Sequence, residues 1–353
     1  MCVRVKKLWC AALALLLVAG LLGGCSKQED EVSDVSSEIT ATPQPESEET
    51  GSYRVGLVQY MEYAPYDKAR EAFMSRLEEW GFNDSRLQVD YQNAGGDADK
   101  LTEICEKFVN DKDRVVVAIS TPAAEAAVKA CEGTEIQVVF LGVNEPHNEL
   151  GMADPANPDG NITGVTDLVA SQAALELALQ VDGGLNTVGL FYNPTCPFGD
   201  RYVEAMKTAC SQRGIDLVEG PVTDPAEAAE KMKLLCEQAD AIFSPVDSTI
   251  GAASEEAAQA ALEAKKPWYA STEDVVTNGA LAGISIDYAE AGNKAADLTV
   301  QLVAGKKVSE LPVYAYTLGK TYVNPQTLDS LGVTMPEEVL KTANYREKPK
   351  EAS

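Results

Sequence analysis

Two hydroxyl groups, those of Ser120 and Thr121, lie where the apolar run VVVAI gives way to the alanine-rich segment PAAEAAV. Proline is favoured in the first turn of a helix and threonine is a common N-cap, so we predict a helix capped by Thr121. The amides of Ala123 and Ala124 would then point out of the helix start, together with the positive end of its dipole. Such a start suits a carboxylate ligand. The alternative is that Thr121 only caps its own helix.

An acidic side chain, Asp287, follows a later strand-like segment in LAGISIDYAEAG. Its carboxylate could hold an ammonium group through a charge-assisted hydrogen bond, or it could cap the helix that begins near Ala289. Glu62 and Asp247 are competing acids for the same role. An anion site and an acid together predict a small zwitterionic ligand.

Covalent catalysis is disfavoured because the chain has one histidine, His147. A nucleophilic Ser120 or Cys196 would need that residue as its base. A zinc site would lack a pair of histidines and a close pair of cysteines. NAGGDADK lacks the Lys-Ser/Thr ending of a phosphate loop and instead predicts a helix capped by Asp97. We predict a binding protein without cofactor or metal, and not an enzyme.

Strand-like and helix-like segments alternate from Tyr53 to Ala304, which predicts an α/β fold of parallel sheets flanked by helices. The pattern occurs twice. YRVGLVQY, a helix and LQVDYQ correspond to TVGLFYN, a helix and DLVEGPV. The third strands, in DRVVVAISTP and ADAIFSPVDST, also correspond, as do the fourth, in IQVVFLGVNEP and KPWYASTED. We therefore predict two similar lobes that face each other across a cleft.

Candidate ligand contacts follow from this arrangement, because ligands of open parallel sheets bind beyond the carboxyl ends of the strands. The loops of the first lobe supply Gln59, Glu62, Tyr63, Ser120, Thr121, Ala123, Asn144 and Glu145. Those of the second lobe supply Tyr192, Asn193, Phe198, Asp247, Ser248, Thr249, Ser271, Thr272 and Asp274. Tyr63, Tyr192 or Phe198 would flank an aromatic ligand by stacking.

The N-terminus has the pattern of a lipoprotein signal peptide, which we assign to residues 1–24. Arg4, Lys6 and Lys7 precede an apolar run that is too short for an ordinary membrane span. The run ends in LLGGC, so we expect Cys25 to receive a lipid and to anchor the mature chain to the membrane. Residues 25–52 are acidic and lack aromatic side chains, which predicts a disordered linker, and residues 346–353 form a tail.

The net charge of −26 disfavours nucleic acid as a partner, because an acidic surface repels phosphates. Five further cysteines follow Cys25, none of them in a CxxC pair, and we interpret them as small core residues and not as disulfides or metal ligands. They are Cys105, Cys131, Cys196, Cys210 and Cys236. We expect a monomer.

The chain resembles the substrate-binding lipoproteins of ABC importers that are similar to tryptophan- and tyrosine-binding proteins. The resemblance covers nearly all of the segment from Tyr53 to Leu340. It depends on DYQNAGGD, ISTPAAEAA, GNITGVTDL, LFYNP, SPVDST and NGALAGISIDYAEAG. It implies a type I periplasmic-binding fold whose lobes are joined by three crossing segments. We expect these crossings near Val165 to Leu168, Ser285 to Tyr288 and Tyr314 to Lys320.

On this basis the first lobe comprises residues 53–166 and 288–316, and the second comprises residues 167–287 and 317–345. The resemblance also implies that Thr121, Asn193, Asp247 and Asp287 contact the ligand. Two segments depart from the family pattern, Asn144-Glu145-Pro146 and NPTCPFGD, and both would reshape the pocket for the ligand's side chain.

The predicted function is capture of an aromatic amino acid (Trp, Tyr or Phe) and its delivery to an ABC permease and its ATPase. Two alternatives remain open. The same fold could bind a nucleoside or another ring compound, or the protein could be a sensory lipoprotein that reports its ligand to a membrane partner.

Overall fold

The computed structural model of the protein describes residues 52–82, 86–168, 171–196, 199–316 and 319–348. The predicted signal peptide, Cys25, nearly all of the acidic linker and Phe198 lie outside the described residues. Within the described ranges no helix is long and apolar enough to cross a membrane.

Strands and helices alternate along the chain, as the sequence predicts. The first elements are β1 (Tyr53–Gln59), α1 (Ala64–Glu79), β2 (Leu87–Asn93), α2 (Ala98–Asn110), β3 (Val115–Ile119), α3 (Thr121–Ala130), β4 (Gln137–Val143), α4 (Pro146–Glu149) and β5 (Ile162–Thr166). There follow α5 (Ser171–Val181), β6 (Thr187–Tyr192), α6 (Gly199–Ser211), β7 (Asp216–Pro221), α7 (Ala228–Cys236), β8 (Ala241–Ser244), α8 (Ser248–Ala252), α9 (Ser254–Glu263), β9 (Trp268–Ala270), α10 (Glu273–Thr277) and β10 (Ala282–Ser285). The last are α11 (Tyr288–Val303), β11 (Lys320–Val323), α12 (Pro325–Leu331), α13 (Glu337–Thr342) and β12 (Asn344–Tyr345).

Two sheets with the same strand order confirm the predicted α/β fold with two similar lobes. The first sheet has the order β2-β1-β3-β4-β5 and is parallel throughout. In the second sheet β7-β6-β8-β9-β10 repeat that order in parallel, and β11 and β12 extend it, β11 being antiparallel to β10. All five residues of β3 are buried, as expected for a parallel strand covered on both faces.

Helix ends follow the local sequence signals. Asp97 caps α2 by accepting hydrogen bonds from the amides of Asp99 and Lys100. After α1, Gly81 adopts a left-handed conformation with φ of 74°, and the amide of Phe82 bonds back to the carbonyl of Leu77. The cap at Asp97 matches the sequence prediction, and the stop at Gly81 follows the same kind of local rule.

The chain crosses between the two sheets three times. It leaves the first sheet after β5, returns after β10 through α11, and re-enters the second sheet at β11. The α11 residues Ala291 and Ala295 pack in the core of the first lobe with Val55 of β1 and Val117 of β3. The first lobe is therefore completed by a helix that lies far along the chain.

Four of the five described cysteines are free and buried, in agreement with their interpretation as core residues. Cys196 differs from that expectation because it is only partly buried. It follows β6, and its side chain interacts with Asp247 of the second lobe. Burial raises the pKa of Cys236 to about 11, which keeps its thiol protonated at neutral pH.

Candidate ligand-binding cleft

The helix start that the sequence singled out begins one residue earlier than predicted. Ser120, and not Thr121, is the N-cap of α3, and its hydroxyl accepts a hydrogen bond from the amide of Ala123 at 3.4 Å. The amide of Ala124 bonds to the carbonyl of Ser120 at 3.0 Å. The prediction that Thr121 is the N-cap was wrong, because Pro122 fits anywhere in the first turn, where no amide donor is needed, and so does not fix the first residue. Both amides that were predicted to face a ligand have partners within the helix start.

A carboxylate does lie at this helix start, and it belongs to the protein. The hydroxyl of Thr121 donates to Oε2 of Glu149 at 3.2 Å. Arg201, at the start of α6 in the second lobe, contacts the other carboxylate oxygen of Glu149 and lies 3.0 Å from Oε2 of Glu145. This Arg201–Glu149 pair joins the two lobes.

A second ion pair joins the lobes elsewhere along the cleft. Nζ of Lys68 in α1 lies 2.7 Å from Glu273 in α10, and Arg346 contacts the other oxygen of Glu273 at 2.6 Å. Burial alone would raise the pKa of Glu273, but the hydrogen bonds from Lys68 and Arg346 lower it. We refer to Arg201–Glu149 and Lys68–Glu273 as the rim pairs.

Asp287, the predicted partner of a ligand ammonium, has the capping role that the sequence allowed as its alternative. One oxygen accepts from the amides of Ala289 and Glu290 at the start of α11, and the other lies 3.0 Å from Nζ of Lys320. Burial would raise the pKa of Asp287, but the bond to Lys320 lowers it below its usual value. As a ligand contact Asp287 stays a prediction.

Three tyrosine rings lie together in the interior of the cleft. The ring of Tyr63 meets that of Tyr66 edge to face, with centroids 5.0 Å apart, and Tyr66 meets Tyr288 in the same way at 6.2 Å. Burial raises the pKa of all three hydroxyls, so they are neutral donors at physiological pH. We call these residues the tyrosine array.

Tyr63 is the member of the array that contacts the second lobe. Gly251 of α8 lies directly against its ring, since a Cβ added at Gly251 would be 2.8 Å from Cε2 of Tyr63 and 3.1 Å from Oδ2 of Asp274. Asp274 and Asp247 both raise the pKa of Tyr63, although less than burial does. The absence of a side chain at Gly251 is what allows the lobes to approach here.

Three buried carboxylates surround the array: Asp167, Asp247 and Asp274, which we call the interior carboxylates. Burial raises the pKa of each, and that of Asp167 reaches about 7. The side chain of Asp167 is 1% exposed and accepts one hydrogen bond, from the hydroxyl of Tyr288 at 3.2 Å. None of the three pairs with a lysine or arginine among the described residues. The interior is therefore acidic and lacks a cation from the described chain.

Several buried polar atoms in the cleft lack a hydrogen bond of good geometry among the described residues. They are the hydroxyl oxygens of Tyr63 and Thr272 and one carboxylate oxygen each of Asp167 and Asp274. Thr272 lies near enough to lower the pKa of both Tyr63 and Asp274, but not in a position to satisfy them. Because buried polar groups are nearly always paired, polar atoms from both lobes without partners indicate a ligand site.

The other predicted ligand contacts differ in burial and in hydrogen-bond partners. Asn193 donates to the hydroxyl of Thr249 at 3.0 Å and is nearly buried in the second lobe. Tyr192 packs in the core of that lobe and donates to Glu219 at 2.6 Å. Asn144 is partly buried and Glu62 is exposed. The structure thus brings Tyr63, Asp247, Thr272 and Asp274 together, while Thr121 lies with Glu149.

Sequence reasoning missed Asp167, Tyr66, Tyr288, Glu149 and Arg201. An acid directly after a strand at a predicted crossing, in GVTDL, was a usable signal for Asp167. The two tyrosines lie on helices, and nothing in their spacing showed which face meets the cleft. The contacts of Arg201 with Glu149 join residues 52 positions apart, which no local pattern encodes.

A family model described as ABC transporter substrate binding protein matches residues 54–346. The chain belongs to this family. A tyrosine-binding protein of Clostridioides difficile is 28% identical over 330 residues, which are 93% of each chain.

Two solved structures of similar proteins have different ligand states. An ABC domain from Streptococcus pneumonia in complex with L-Trp is 27% identical, with a TM-score of 0.76 over 84% of this chain and 100% of that chain. A ligand-free, open substrate-binding protein with adhesive properties from Clostridium difficile is 28% identical, with a TM-score of 0.70 over the same shares. The predicted family and the type I periplasmic-binding fold are confirmed.

The chain is therefore the substrate-binding component of an ABC importer, and it acts outside the cytoplasm. Members of this family bind the transported solute and are not the catalytic part of the transporter. The fold brings two lobes together over a shared interior, which suits capture by closure of the lobes around a hinge.

Proposed function

We propose that this ABC substrate-binding protein captures an aromatic amino acid in the interlobe cleft. The observation that carries the proposal is the tyrosine array together with interior carboxylates that lack a cation among the described residues. Aromatic rings in edge-to-face arrangement accept a further ring, and a positive group stabilises the ionised form of unpaired buried carboxylates. An aromatic amino acid carries both.

The start of α3 is the proposed position of the ligand's carboxylate. The hydroxyl of Thr121 already binds a carboxylate there, that of Glu149, and the end of the helix dipole favours negative charge. A ligand carboxylate would replace Glu149 and could use the nearby Arg201 as a second donor. Ser120 and the backbone at Ala123 shape this end of the site.

Similar proteins support the aromatic assignment. One relative is a tyrosine-binding protein, and one structural neighbour was solved with L-Trp. Differences at Asn144-Glu145-Pro146 and at NPTCPFGD distinguish this chain from the family pattern, so its preference among Trp, Tyr and Phe is its own. We expect a dissociation constant of about 0.01 to 10 μM, because delivery requires release.

Delivery completes the proposed function. The closed, loaded protein would dock on an ABC permease whose ATPase drives import, while a lipid on Cys25 holds it at the membrane. Replacement of Cys25 by Ser should release the protein from membranes into the medium. Retention of the variant in the membrane fraction would contradict the anchor.

Thermal unfolding tests the ligand assignment. The purified protein, refolded to remove carried-over ligand, is scanned against the twenty amino acids and a nucleoside panel. A ligand at 100 times its dissociation constant stabilises the protein by about 2.7 kcal/mol, which raises the melting temperature by several degrees. Stabilisation by Trp, Tyr or Phe alone supports the proposal, and a response only to a nucleoside overturns it.

A further inference from the structure

The three interior carboxylates differ in how far the protein already satisfies them. Asp247 caps α8 by accepting from the amide of Ile250 at 2.9 Å and also interacts with Cys196. Asp274 lies in the first turn of α10, where backbone amides lower its pKa against the effect of burial. Asp167 accepts a hydrogen bond from the neutral hydroxyl of Tyr288, and the one backbone amide that lowers its pKa is its own. Its second oxygen has no hydrogen bond of good geometry among the described residues. Asp167 is the least satisfied of the three.

Asp167 lies where the chain leaves the first sheet. It follows β5 directly, and its carboxylate contacts Tyr288 of α11. Opposite it is Gly142, whose φ of 76° favours glycine. A Cβ added there would lie 3.4 Å from Oδ2 of Asp167 and 3.1 Å from the ring of Tyr66. Gly142 thus lets the carboxylate and an aromatic ring converge on the same space.

A buried carboxylate in this setting either binds a cation or takes up a proton. Taking an ionised carboxylate out of water costs several kcal/mol unless a positive group and further hydrogen bonds offset the loss. No lysine or arginine of the described ranges forms an ion pair with Asp167. An aromatic ring beside the site adds cation–π attraction for an ammonium.

We infer that Asp167, and not Asp287, receives the ammonium group of the amino acid, with the hydroxyl of Tyr288 orienting the carboxylate and Tyr66 lying beside the bound cation. The inference rests on the proposed function. It assigns the second charge of the zwitterion to a residue on the crossing segment, so that ammonium binding connects the lobes.

Binding of ligand analogues to Asp167→Asn tests the assignment. Calorimetry would compare wild type with this variant for Trp, Tyr and Phe, for the amines that lack the carboxylate, and for the aryl-propionic acids that lack the ammonium. Removing one charge of a buried pair costs about 2 to 5 kcal/mol, so we expect a loss of roughly 30- to 5,000-fold for amino acids and amines. The propionic acids should bind both proteins with the same affinity.

Asp287→Asn is the matched control, because asparagine keeps the helix cap and loses the charge. It should bind the amino acids with nearly the wild-type affinity. Unchanged affinity in Asp167→Asn together with a large loss in Asp287→Asn would overturn the inference while leaving the proposed function intact. Failure of the wild type to bind any of the three amino acids would overturn the proposed function itself. Thermal unfolding of each variant without ligand verifies that it folds.

Discussion

Carboxylates at the rim of the cleft have cationic partners, whereas those in its interior have none among the described residues. At the rim, Glu149, Glu273 and Asp287 each have a lysine or arginine partner. In the interior, Asp167 and its two neighbours have none among the described residues. The rim is thus electrostatically complete as the chain provides it, whereas the interior is completed by a cation from outside or by a proton. Of the pairs that join the lobes, Arg201–Glu149 lies at the proposed carboxylate end of the site, whereas Lys68–Glu273 takes no part in the proposed recognition.

The largest expected effect concerns stability without ligand. The pKa of Asp167 is about 7 in the folded protein, above its ordinary value of 3.8, because the group is buried. Between these values the folded state retains a proton that the unfolded state loses, so the free energy of unfolding falls as pH rises. The loss is about 1.4 kcal/mol per pH unit and about 4 kcal/mol in all. Asp167→Asn should abolish it, so the variant becomes more stable than wild type above pH 7.

Urea unfolding from pH 4 to pH 8 measures this difference, with Asp287→Asn as a control of opposite sign. Lys320 lowers the pKa of Asp287, so its contribution is present above the unfolded pKa and is lost as the solution is acidified through the folded pKa. Asp287→Asn should therefore have a lower free energy of unfolding than wild type at neutral pH. If the free energy of unfolding depends on pH in the same way for wild type and Asp167→Asn, Asp167 does not retain a proton in the folded state, and the difference between rim and interior disappears.

The next effect concerns closure over the interior. In Gly251→Ala the new methyl group would meet the ring of Tyr63, at a distance that atoms do not tolerate without movement. Overpacking of this kind costs about 1 to 3 kcal/mol, and the part that is due to Tyr63 applies only when the lobes are together. Ligand affinity should fall by a factor of about 5 to 150, measured by calorimetry.

Gly183→Ala is the matched control for this variant, since Gly183 is exposed and its nearest heavy atom is 3.7 Å from the added methyl group. It should leave affinity unchanged. The melting temperature of ligand-free Gly251→Ala should not fall, because alanine favours the helix that glycine weakens. An equal affinity in both glycine variants would mean that Tyr63 does not meet α8 in the bound form.

A smaller effect is expected for the rim. Arg201→Gln removes the cation that contacts Glu149 and that the proposed site offers to the ligand carboxylate, and it should weaken ligand binding by about 1 to 2 kcal/mol, or about 5- to 30-fold. Raising the salt concentration should reduce the difference between the variant and wild type. Arg213→Gln is the control, because Arg213 pairs with Glu176 within one lobe, at 3.0 Å. If both arginine variants bind alike, the Arg201 pair does not contribute to closure.

The smallest effect is expected for Lys68→Gln. The side chain of Lys68 is 39% exposed and Glu273 keeps Arg346 as a second partner, so the loss should be about 0.5 kcal/mol. Stopped-flow kinetics should show this loss as faster ligand dissociation, because the pair forms when the lobes close. A loss larger than that of Arg201→Gln would reverse the order of the two rim pairs.

The fold followed from the sequence because its signals are local. Alternating strands and helices, the duplicated strand order, the cap at Asp97 and the glycine stop at Gly81 each depend on a few neighbouring residues. The additional strand β12, with two residues, and the antiparallel β11 left no such pattern. Their positions are set by packing against a sheet whose other members are distant in sequence.

The site was predicted less completely, for a physical reason. The rule that ligands bind beyond the carboxyl ends of parallel strands directed attention to Tyr63, Thr272 and Asp274, which the structure brings together. It could not show that Asp287 pairs with Lys320, or that Glu149 contacts Thr121 at the start of α3. Whether a carboxylate is paired depends on contacts between distant segments, and the sequence alone does not list them.

The late helix α11 has a consequence for how the protein is made. Until its residues emerge, the apolar face of β1 and β3 is covered only in part, by α1, because Ala291 and Ala295 complete that core. A nascent chain therefore cannot finish its first lobe before most of its second has been synthesised. Such delayed completion leaves the first lobe exposed to proteases and chaperones until translation nears its end.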